Sequence, residues 1–408
     1  MTKIETQPKA DFDAIVVGGG PSGATAAHDL ARKGYNVMLL DKAGRIKPCG
    51  GAVPPRLLSD FNVPQSLLVA KAREARIISP SNRHVSMPVG DGFVGMVDRG
   101  EFDEWLRARA AWSGVTRVTG KFETIADETD GLARLVYRTS NGKKQRSVTA
   151  RCVIGADGAR SAVARQSLPD AERVPCVFAY HEVVKVPENA ASPGGDADYQ
   201  AQRCDVYYQG DLSPDFYAWV FPHGKTASIG LGTANKGFPL RETTALMRQR
   251  TGFADWETVR CEGAPIPLKP LKRWDNGRNV LVTGDAAGVV APSSGEGIFY
   301  AMTAGRLAAG AVDRFLVTGQ PRALRDARRN FMKAHGRTFF ILGIMQYFWY
   351  RSDKRREQFV NMCADKDVQR LTWEAYMNKE LVRRDPLAHF KIFIKDMGHL
   401  LGLRSVAQ

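Results

Sequence analysis

The sequence predicts an α/β fold built on a parallel sheet, with a second sheet-rich region inserted into it and a helical tail. Three observations predict this. An apolar run, Ala14-Ile15-Val16-Val17, leads into the turn Gly18-Gly19-Gly20-Pro21-Ser22-Gly23 and an alanine-rich helix pattern. The same build returns twice, as Cys152-Val153-Ile154 before Gly155-Ala156-Asp157-Gly158 and as Asn279-Val280-Leu281-Val282 before Thr283-Gly284-Asp285. Between these two, from Leu168 to Lys272, the pattern changes to strand-like alternation, as in Phe178 to Val186, Cys204 to Gln209 and Tyr217 to Phe221. Short apolar runs that end in a turn and a helix mark buried parallel strands, whereas alternation marks strands with one face covered.

The first turn reads as a phosphate cradle. Gly18, Gly20 and Gly23 match G-x-G-x-x-G, and Pro21 and Ser22 open a helix pattern that ends at Gly34. Tyr35 to Leu40 is a second apolar strand, and Asp41, followed by Lys42, stands where a ribose-binding acid is expected. The glycines permit a tight turn and close backbone approach, and the helix N-terminus attracts a pyrophosphate. In the second motif, Asp157 and Gly158 turn the chain into a helix-like stretch that holds Ser161 and Arg165. In the third, Asp285 is placed to accept from a ribitol hydroxyl. A Gly/Ala-rich helix is expected from Gly295 to Ala309, and its start at Glu296-Gly297-Ile298 would face the edge of a flavin ring that becomes anionic on reduction. Each turn alone is an ordinary corner. The three in this order specify a dinucleotide as long as FAD, held at both ends.

Two further segments carry chemistry. Pro48-Cys49-Gly50-Gly51 follows the ribose acid, and its glycines let backbone come near a flavin face. A thiol there is either a proton donor or a small packing residue. Tyr217, Trp219 and Phe221 alternate and so project from one face of a strand. They form either sheet packing or the wall of an apolar tunnel, and both roles can hold at once.

Composition bounds the rest. With 408 residues, 44% hydrophobic, the chain can bury a large core in two or three subdomains. Mean hydropathy of −0.29 fits a soluble or peripheral protein. Met1 to Asp13 is polar, with no secretory core and little room for a plastid transit peptide, so a bacterial cytoplasmic chain or a shortened one is expected. The six cysteines are scattered without C-x-x-C or metal spacing, so a reducing compartment and no metal are expected. The net charge is +15, and from Arg322 to Gln408 there are 18 Lys/Arg against nine Asp/Glu. No nucleic-acid motif accompanies this charge. The tail holds Phe339 to Tyr350, an aromatic-rich run followed by Arg351, Lys354, Arg355 and Arg356. It is shorter than the roughly 20 apolar residues of a membrane span. It therefore reads as an interfacial anchor on an anionic membrane or as a helix that caps a tunnel. His389 to Leu403 repeats the theme.

The three turns together resemble the flavoprotein hydroxylase and reductase class of the glutathione-reductase-like fold, over roughly the first 310 residues. Within it, Gly44 to Pro55 and Tyr217-Ala218-Trp219-Val220-Phe221-Pro222 are similar to the geranylgeranyl reductase family, in the form found in bacteriochlorophyll and chlorophyll synthesis. The resemblance implies an FAD-binding Rossmann domain from residues 12–53, 96–166 and 273–320. It also implies an inserted antiparallel-sheet substrate domain from 54–95 and 167–272, and a helical C-terminal region, 321–408. It adds Arg99, in Val97-Asp98-Arg99, as an arginine along the FAD, with Cys49, Gly50 and Gly51 beside the cofactor. The implied reaction is stepwise reduction of isolated double bonds of a geranylgeranyl group to phytyl, with NADPH, or reduced ferredoxin, as electron source. The implied substrate is geranylgeranyl-bacteriochlorophyll or geranylgeranyl diphosphate, which basic residues near Arg45, Lys47 and Arg56 would meet if it is the diphosphate. Cys49 is the first candidate for the proton donor, with Tyr217 and His223 behind it, and Tyr217 and Trp219 would wall the prenyl chain. A peripheral place on the photosynthetic membrane and association with the prenyl-transferring synthase follow from the same resemblance.

Two rival readings share these motifs: an aromatic-hydroxylase-type FAD monooxygenase and a non-catalytic prenyl-binding protein. Complete phosphate, ribose and flavin motifs argue against the second. A halogenase is disfavoured because Tyr217 and Phe221 depart from W-x-W-x-I-P.

Overall fold

The computed structural model describes residues 10–42, 47–127, 130–140, 142, 144–169, 171–188, 190 and 198–379. Arg45, most of the Pro/Gly-rich loop from Ala190 to Asp198, and His389 to Leu403 lie outside them. The chain divides into two compact units. The first takes Met1–Ile46, Gly100–Cys176 and Pro265–Phe339, and the second Lys47–Arg99, Val177–Ala264 and Phe340–Gln408.

The first unit is built on parallel strands. Phe12–Val17 lies between Val37–Asp41 and Gln145–Gly155, and Val280–Val282 pairs with the far side of Gln145–Gly155. Thr116–Asp127 extends the other edge, parallel to Val37–Asp41. The strands of residues 116–127 and 145–155 are long, and their free halves are joined by Ala133–Thr139 in an antiparallel meander. Ala14, Ile15, Val16, Val153 and Ile154 are fully buried, as strands covered on both faces require. Helix Pro21–Ala31 packs against the long helix Ile298–Thr318, where a side chain at Gly305 would strike the Ser22 carbonyl at 2.2 Å. This helix begins later and runs further than the glycine pattern predicts. Gly295 has φ of +65° and turns the chain, so the helix starts only after Gly297.

The second unit holds a seven-stranded sheet in the order Thr258–Pro267, Cys176–Lys185, Thr226–Thr233, Ala218–His223, Arg203–Tyr207, Glu74–Ile78, His84–Pro88. The expected antiparallel character holds except at one place, where Arg203–Tyr207 runs parallel to Glu74–Ile78. Those two strands come from separate stretches of chain, so no hairpin dictates their direction. A small sheet of Ala52–Val53, Val94–Val97 and Leu68–Ala72 completes the strands of the unit.

Helix Arg325–Trp349 contains the aromatic run of the tail, followed by Asp353–Met362 and Lys366–Asn378. The run has two faces. Trp349 and Tyr350 are buried, and the Tyr350 hydroxyl donates to that of Tyr208 at 3.2 Å. Phe340, Ile344 and Tyr347 are 68%, 52% and 67% exposed. Arg356 is buried and donates to the carbonyls of Ser213, Pro214 and Tyr350, which fastens its helix to the connection before strand Ala218–His223. Among the described residues no helix is long and apolar enough to cross a membrane.

A buried ionic cluster joins the parallel pair Arg203–Tyr207 and Glu74–Ile78 near one edge of the second sheet. Asp205 accepts from Arg76 Nε at 2.9 Å and Nη2 at 2.6 Å, and from Arg203 Nε at 2.8 Å. All three are buried. Both arginines also meet Asp198, which is exposed, so removing Asp205 leaves two buried guanidinium groups to share one solvent-facing carboxylate. Asp205→Ala is therefore expected to cost about 3–5 kcal/mol of stability, read as a large fall in denaturation midpoint.

Candidate active site

The three glycine turns, spread over most of the sequence, converge at the carboxyl ends of adjacent parallel strands in the first unit. The Ala156 amide donates to the Val17 carbonyl at 2.7 Å, and that of Thr283 to the Gly155 carbonyl at 2.9 Å. Ser22 Oγ donates to Thr283 Oγ1 at 3.1 Å. Gly18 has φ of +106°, and a Cβ on it would lie 2.3 Å from the Ala156 oxygen. Only glycine lets these backbones touch.

The cradle fits a dinucleotide on its own chemistry. Helix Pro21–Ala31 starts at Gly20 with proline at its first position, no side-chain cap and no acid in its first turn. A Cβ at Gly20 would meet nothing within 4 Å, so there is open space at the helix end that favours an anion. Asp41 ends its strand, and its Oδ2 lies 2.8 Å from where a Cβ on Gly19 would sit. Lys42 beside it is exposed. Arg107, which the sequence reading missed, reaches the Gly19 carbonyl at 3.3 Å and Asp41 at 3.5 Å. On an amphipathic helix it is indistinguishable by pattern from a solvated arginine.

At the third turn, Asp285 Oδ1 lies 3.9 Å from the position a Cβ on Gly297 would take, so the acid and the start of helix Ile298–Thr318 are brought together. Gly284 packs on Ser22, and Gly295 and Ile298 flank the same helix start. Asp157 is used differently. Its carboxylate accepts from Ser161 Oγ and from the amides of Ala162 at 2.6 Å and Val163 at 3.2 Å, so it caps helix Ala162–Ser167. Burial pushes its pKa up. Gly158 follows with φ of +87°.

The second unit brings the other two motifs into contact. A Cβ on Gly50 would lie 2.8 Å from Phe221 Cδ2, and one on Gly51 would lie 2.6 Å from His223 Nε2. The glycine pair is thus what lets the aromatic strand pack against this backbone. Cys49 Sγ accepts from the Gly51 amide at 3.4 Å. A pocket of this unit is lined by Lys47, Cys49, Val97, Asp98, Arg99, His181, Val183, His223, Thr226, Ser228, Arg260 and Glu262. Arg99 begins helix Arg99–Trp112 and is only 4% exposed, so it is not a solvated helix-start arginine.

Tyr217 and Trp219 stand one layer behind this lining. Both are buried, in a row of rings in which Tyr217 and Trp219 are 5.9 Å apart and Trp219 and Phe221 6.1 Å. Tyr217 precedes strand Ala218–His223 and stacks on Phe216 at 4.3 Å. Trp219 Nε1 donates to Ser228 Oγ at 3.1 Å, a residue that does line the pocket. His223 Nδ1 lies 3.2 Å from the Phe221 carbonyl, which can only accept, so its proton sits on Nδ1. Burial lowers its pKa to about 4, so the ring is neutral. Nε2 toward Gly51 is bare, and His223 is an acceptor there rather than a proton donor. Among the described residues no cluster of metal-ligating side chains is present.

Comparison with known proteins agrees with this geometry. The model of an NAD(P)-binding Rossmann-like domain matches residues 16–63. A geranylgeranyl diphosphate reductase of Rhodobacter capsulatus is 54% identical over 96% of this chain and 98% of its own. One from Synechocystis is 35% identical over 96% of this chain and 98% of its own, and a chloroplastic one from Oryza sativa is 36% identical over 95% and 85%. Among solved structures, a geranylgeranyl bacteriochlorophyll reductase-like protein from Thermoplasma acidophilum superposes with a TM-score of 0.78 at 21% identity, covering 92% of this chain and 99% of its own. A flavin-dependent brominase, Bmp2, superposes at 0.73 and 14% identity, covering 96% and 99%. These two likenesses establish the fold.

Two outcomes follow. Gly51 has φ of +71°, and a Cβ there would lie 2.5 Å from the Val97 oxygen, so Gly51→Ala is expected to distort the pocket while leaving the first unit folded. Cofactor retention with lost turnover checks this. His223 titrates near the ordinary imidazole value of 6.5 in the unfolded chain and near 4 when folded, so stability is at its full value above pH 6.5 and is lost as pH falls toward 4. Because the ring keeps some solvent contact, that loss is about 1–2 kcal/mol. Denaturant midpoints between these pH values should fall less in His223→Gln than in the unaltered protein.

Proposed function

The chain belongs to the geranylgeranyl diphosphate reductase family, and on that premise we propose that it hydrogenates the isolated double bonds of a geranylgeranyl group to give phytyl, using FAD and NADPH. The observation that carries this reading is the contact between Cys49-Gly50-Gly51 and the Trp219-Phe221-His223 strand, which puts a thiol in a pocket backed by an aromatic row. In this reading the first unit holds FAD. Gly18, Gly20, Pro21, Ser22 and Gly23 cradle the pyrophosphate, and Asp41 takes the adenosine ribose. Asp285, Gly297 and Ile298 meet the ribitol and the ring, with Arg99 along the cofactor. The second unit receives the prenyl chain.

When bound, FAD supplies the hydride that an unactivated alkene requires. The residues must do the rest. An isolated double bond has no carbonyl to polarise, so donors aimed at an oxyanion contribute nothing. What accelerates the reaction is a fixed alkene position and exclusion of water. The packed row Tyr217, Trp219 and Phe221 supplies a rigid apolar wall, and Cys49 gives its thiol proton to the second alkene carbon. His223, neutral and bare at Nε2, does not compete as donor.

The substrate is the esterified pigment, geranylgeranyl-bacteriochlorophyll, or the free diphosphate, which Lys47 in the pocket wall would meet. NADPH is the electron donor in this reading, with reduced ferredoxin as the alternative. The exposed stripe Phe340, Ile344 and Tyr347 recurs at helical spacing, and Arg351 stacks on Tyr347 at 4.9 Å. It supports peripheral contact with the anionic surface of a bacterial photosynthetic membrane, facing the cytoplasm, where the prenyl-transferring synthase would be met.

The test is anaerobic. Enzyme loaded with FAD and bleached by NADPH should regain its yellow colour when a geranylgeranyl substrate is added without oxygen. Recovery only on admitting oxygen would overturn the reading in favour of a monooxygenase, and no flavin binding would favour a prenyl carrier. Cys49→Ala should bind FAD and bleach normally, yet recover colour slower by about 10²-fold or more, the usual worth of a general acid. Asp285→Ala should purify without flavin.

A further inference from the structure

A polar chain crosses the second sheet from its solvent side to the aromatic row. Asp98 Oδ2 pairs with Arg260 Nη2 at 3.1 Å, and Arg260 Nε with Glu262 Oε1 at 3.3 Å. Glu262 Oε2 lies 3.0 Å from His181 Nε2, and His181 Nδ1 lies 2.8 Å from Ser228 Oγ. Ser228 accepts in turn from Trp219 Nε1. Glu262, His181, Ser228 and Trp219 stand on four consecutive strands of the sheet, so the chain runs across it strand by strand. Gly230 makes room for it. Gly230 pairs with both His181 and Trp219, and a Cβ on it would lie 2.5 Å from His181 Cβ and 2.6 Å from Trp219 Cζ2.

Indole nitrogen only donates, so Ser228 accepts from Trp219. The Glu262 carboxylate accepts, so a hydrogen sits on His181 Nε2 and points at Glu262. This carboxylate is thus held on both oxygens, by His181 and by Arg260. Exposure grows outward along the chain, from His181 at 3% through Glu262 at 16% to Arg260 at 31%. Asp98, Arg260, Glu262, His181 and Ser228 line the same pocket as Cys49.

Resting on the proposed alkene hydrogenation, we infer that Glu262, positioned by His181, is the group that returns a proton to Cys49 after each double bond is reduced. The balance is simple. Each hydrogenation takes a hydride from reduced flavin and the thiol proton of Cys49, breaks the carbon–carbon π bond and forms two C–H bonds. It leaves a thiolate, and a proton from solvent, passed by Glu262, restores the S–H bond. A thiol that gives up its proton at every step needs such a path, because a substrate with several double bonds consumes several protons. His181 and Glu262 act through Cys49 and are positioning residues. The charged or titratable groups facing His181 are Glu262 and Arg260 from strand Thr258–Pro267, His223 from strand Ala218–His223, and Lys47, Cys49, Asp98 and Arg99 from the pocket wall.

Two readouts test this. The first needs neither flavin chemistry nor substrate: the pH dependence of Cys49 alkylation by iodoacetamide, followed on its own peptide because the chain has six cysteines. Removing the Glu262 charge favours the thiolate, so Glu262→Gln should shift the alkylation midpoint to lower pH, and His181→Phe, which frees the carboxylate to move, should shift it as well. Unchanged midpoints in both variants would overturn the inference. The second is anaerobic recovery of flavin colour by geranylgeranyl substrate after reduction by NADPH. Both variants should reduce normally and recover about tenfold or more slowly, with a changed pH profile. Recovery with the rate and pH profile of the unaltered enzyme would also overturn it, and so would equal losses in flavin loading and reduction, which mark a structural role alone. Shifted alkylation midpoints with no recovery even in the unaltered enzyme would place the failure in the proposed reaction, not in the Glu262–Cys49 coupling.

Discussion

The first unit depends on backbone touching backbone at Gly18. The carbonyl of Ala156 occupies the space where any side chain at Gly18 would begin, at 2.3 Å. That contact brings the ends of strands Phe12–Val17 and Gln145–Gly155 level, and Thr283 then bonds to Gly155 on the other side. From this follow the position of the helix that starts at Gly20, the place of Asp41 opposite Gly19, and the approach of Gly284 to Ser22. The binding crevice is a consequence of aligned strand ends.

The second unit applies the same device to a different purpose. Gly50 and Gly51 have no side chains, so Phe221 and His223 press directly on that backbone. Gly230 has none, so His181 and Trp219 come within 6.4 Å ring to ring and share Ser228. Absent side chains thus set where a thiol, two imidazoles and an aromatic row can stand. From Glu262 through His181 and Ser228 to Trp219 the buried polar chain is hydrogen-bonded at each step, while Arg260 Nε meets Glu262 by charge at 3.3 Å.

Much of the first unit was legible in the sequence because its information is local. A glycine turn after an apolar run is visible in a few residues: Gly18 and Gly284 take positive φ, and Gly23 packs on the Gly18 carbonyl, although the contacts of Gly18 with Ala156 and of Gly284 with Ser22 are long-range. The limits of helix Ile298–Thr318 were not, since Gly295 and Gly297 look like helix residues in a Gly/Ala-rich stretch yet form its entry turn. Arg107 was hidden because its role lies across 88 positions, at Gly19. The His181 contacts span 47 and 81 positions, to Ser228 and Glu262, and each partner alone resembles an ordinary polar residue of an alternating strand. The aromatic run of the tail was ambiguous for a different reason: its composition suits both burial and exposure, and the helix divides it between Trp349 and Tyr350 inside and Phe340, Ile344 and Tyr347 outside.

The most direct measurement of the account is the mass of the prenyl chain after anaerobic incubation of the protein with FAD, NADPH and geranylgeranyl-bacteriochlorophyll, and in parallel with geranylgeranyl diphosphate. The account predicts stepwise gain of two hydrogens per double bond on one of these substrates. A chain of unchanged mass on both, with the flavin reduced, would contradict it, and a gain of oxygen when air is admitted would replace it with hydroxylation.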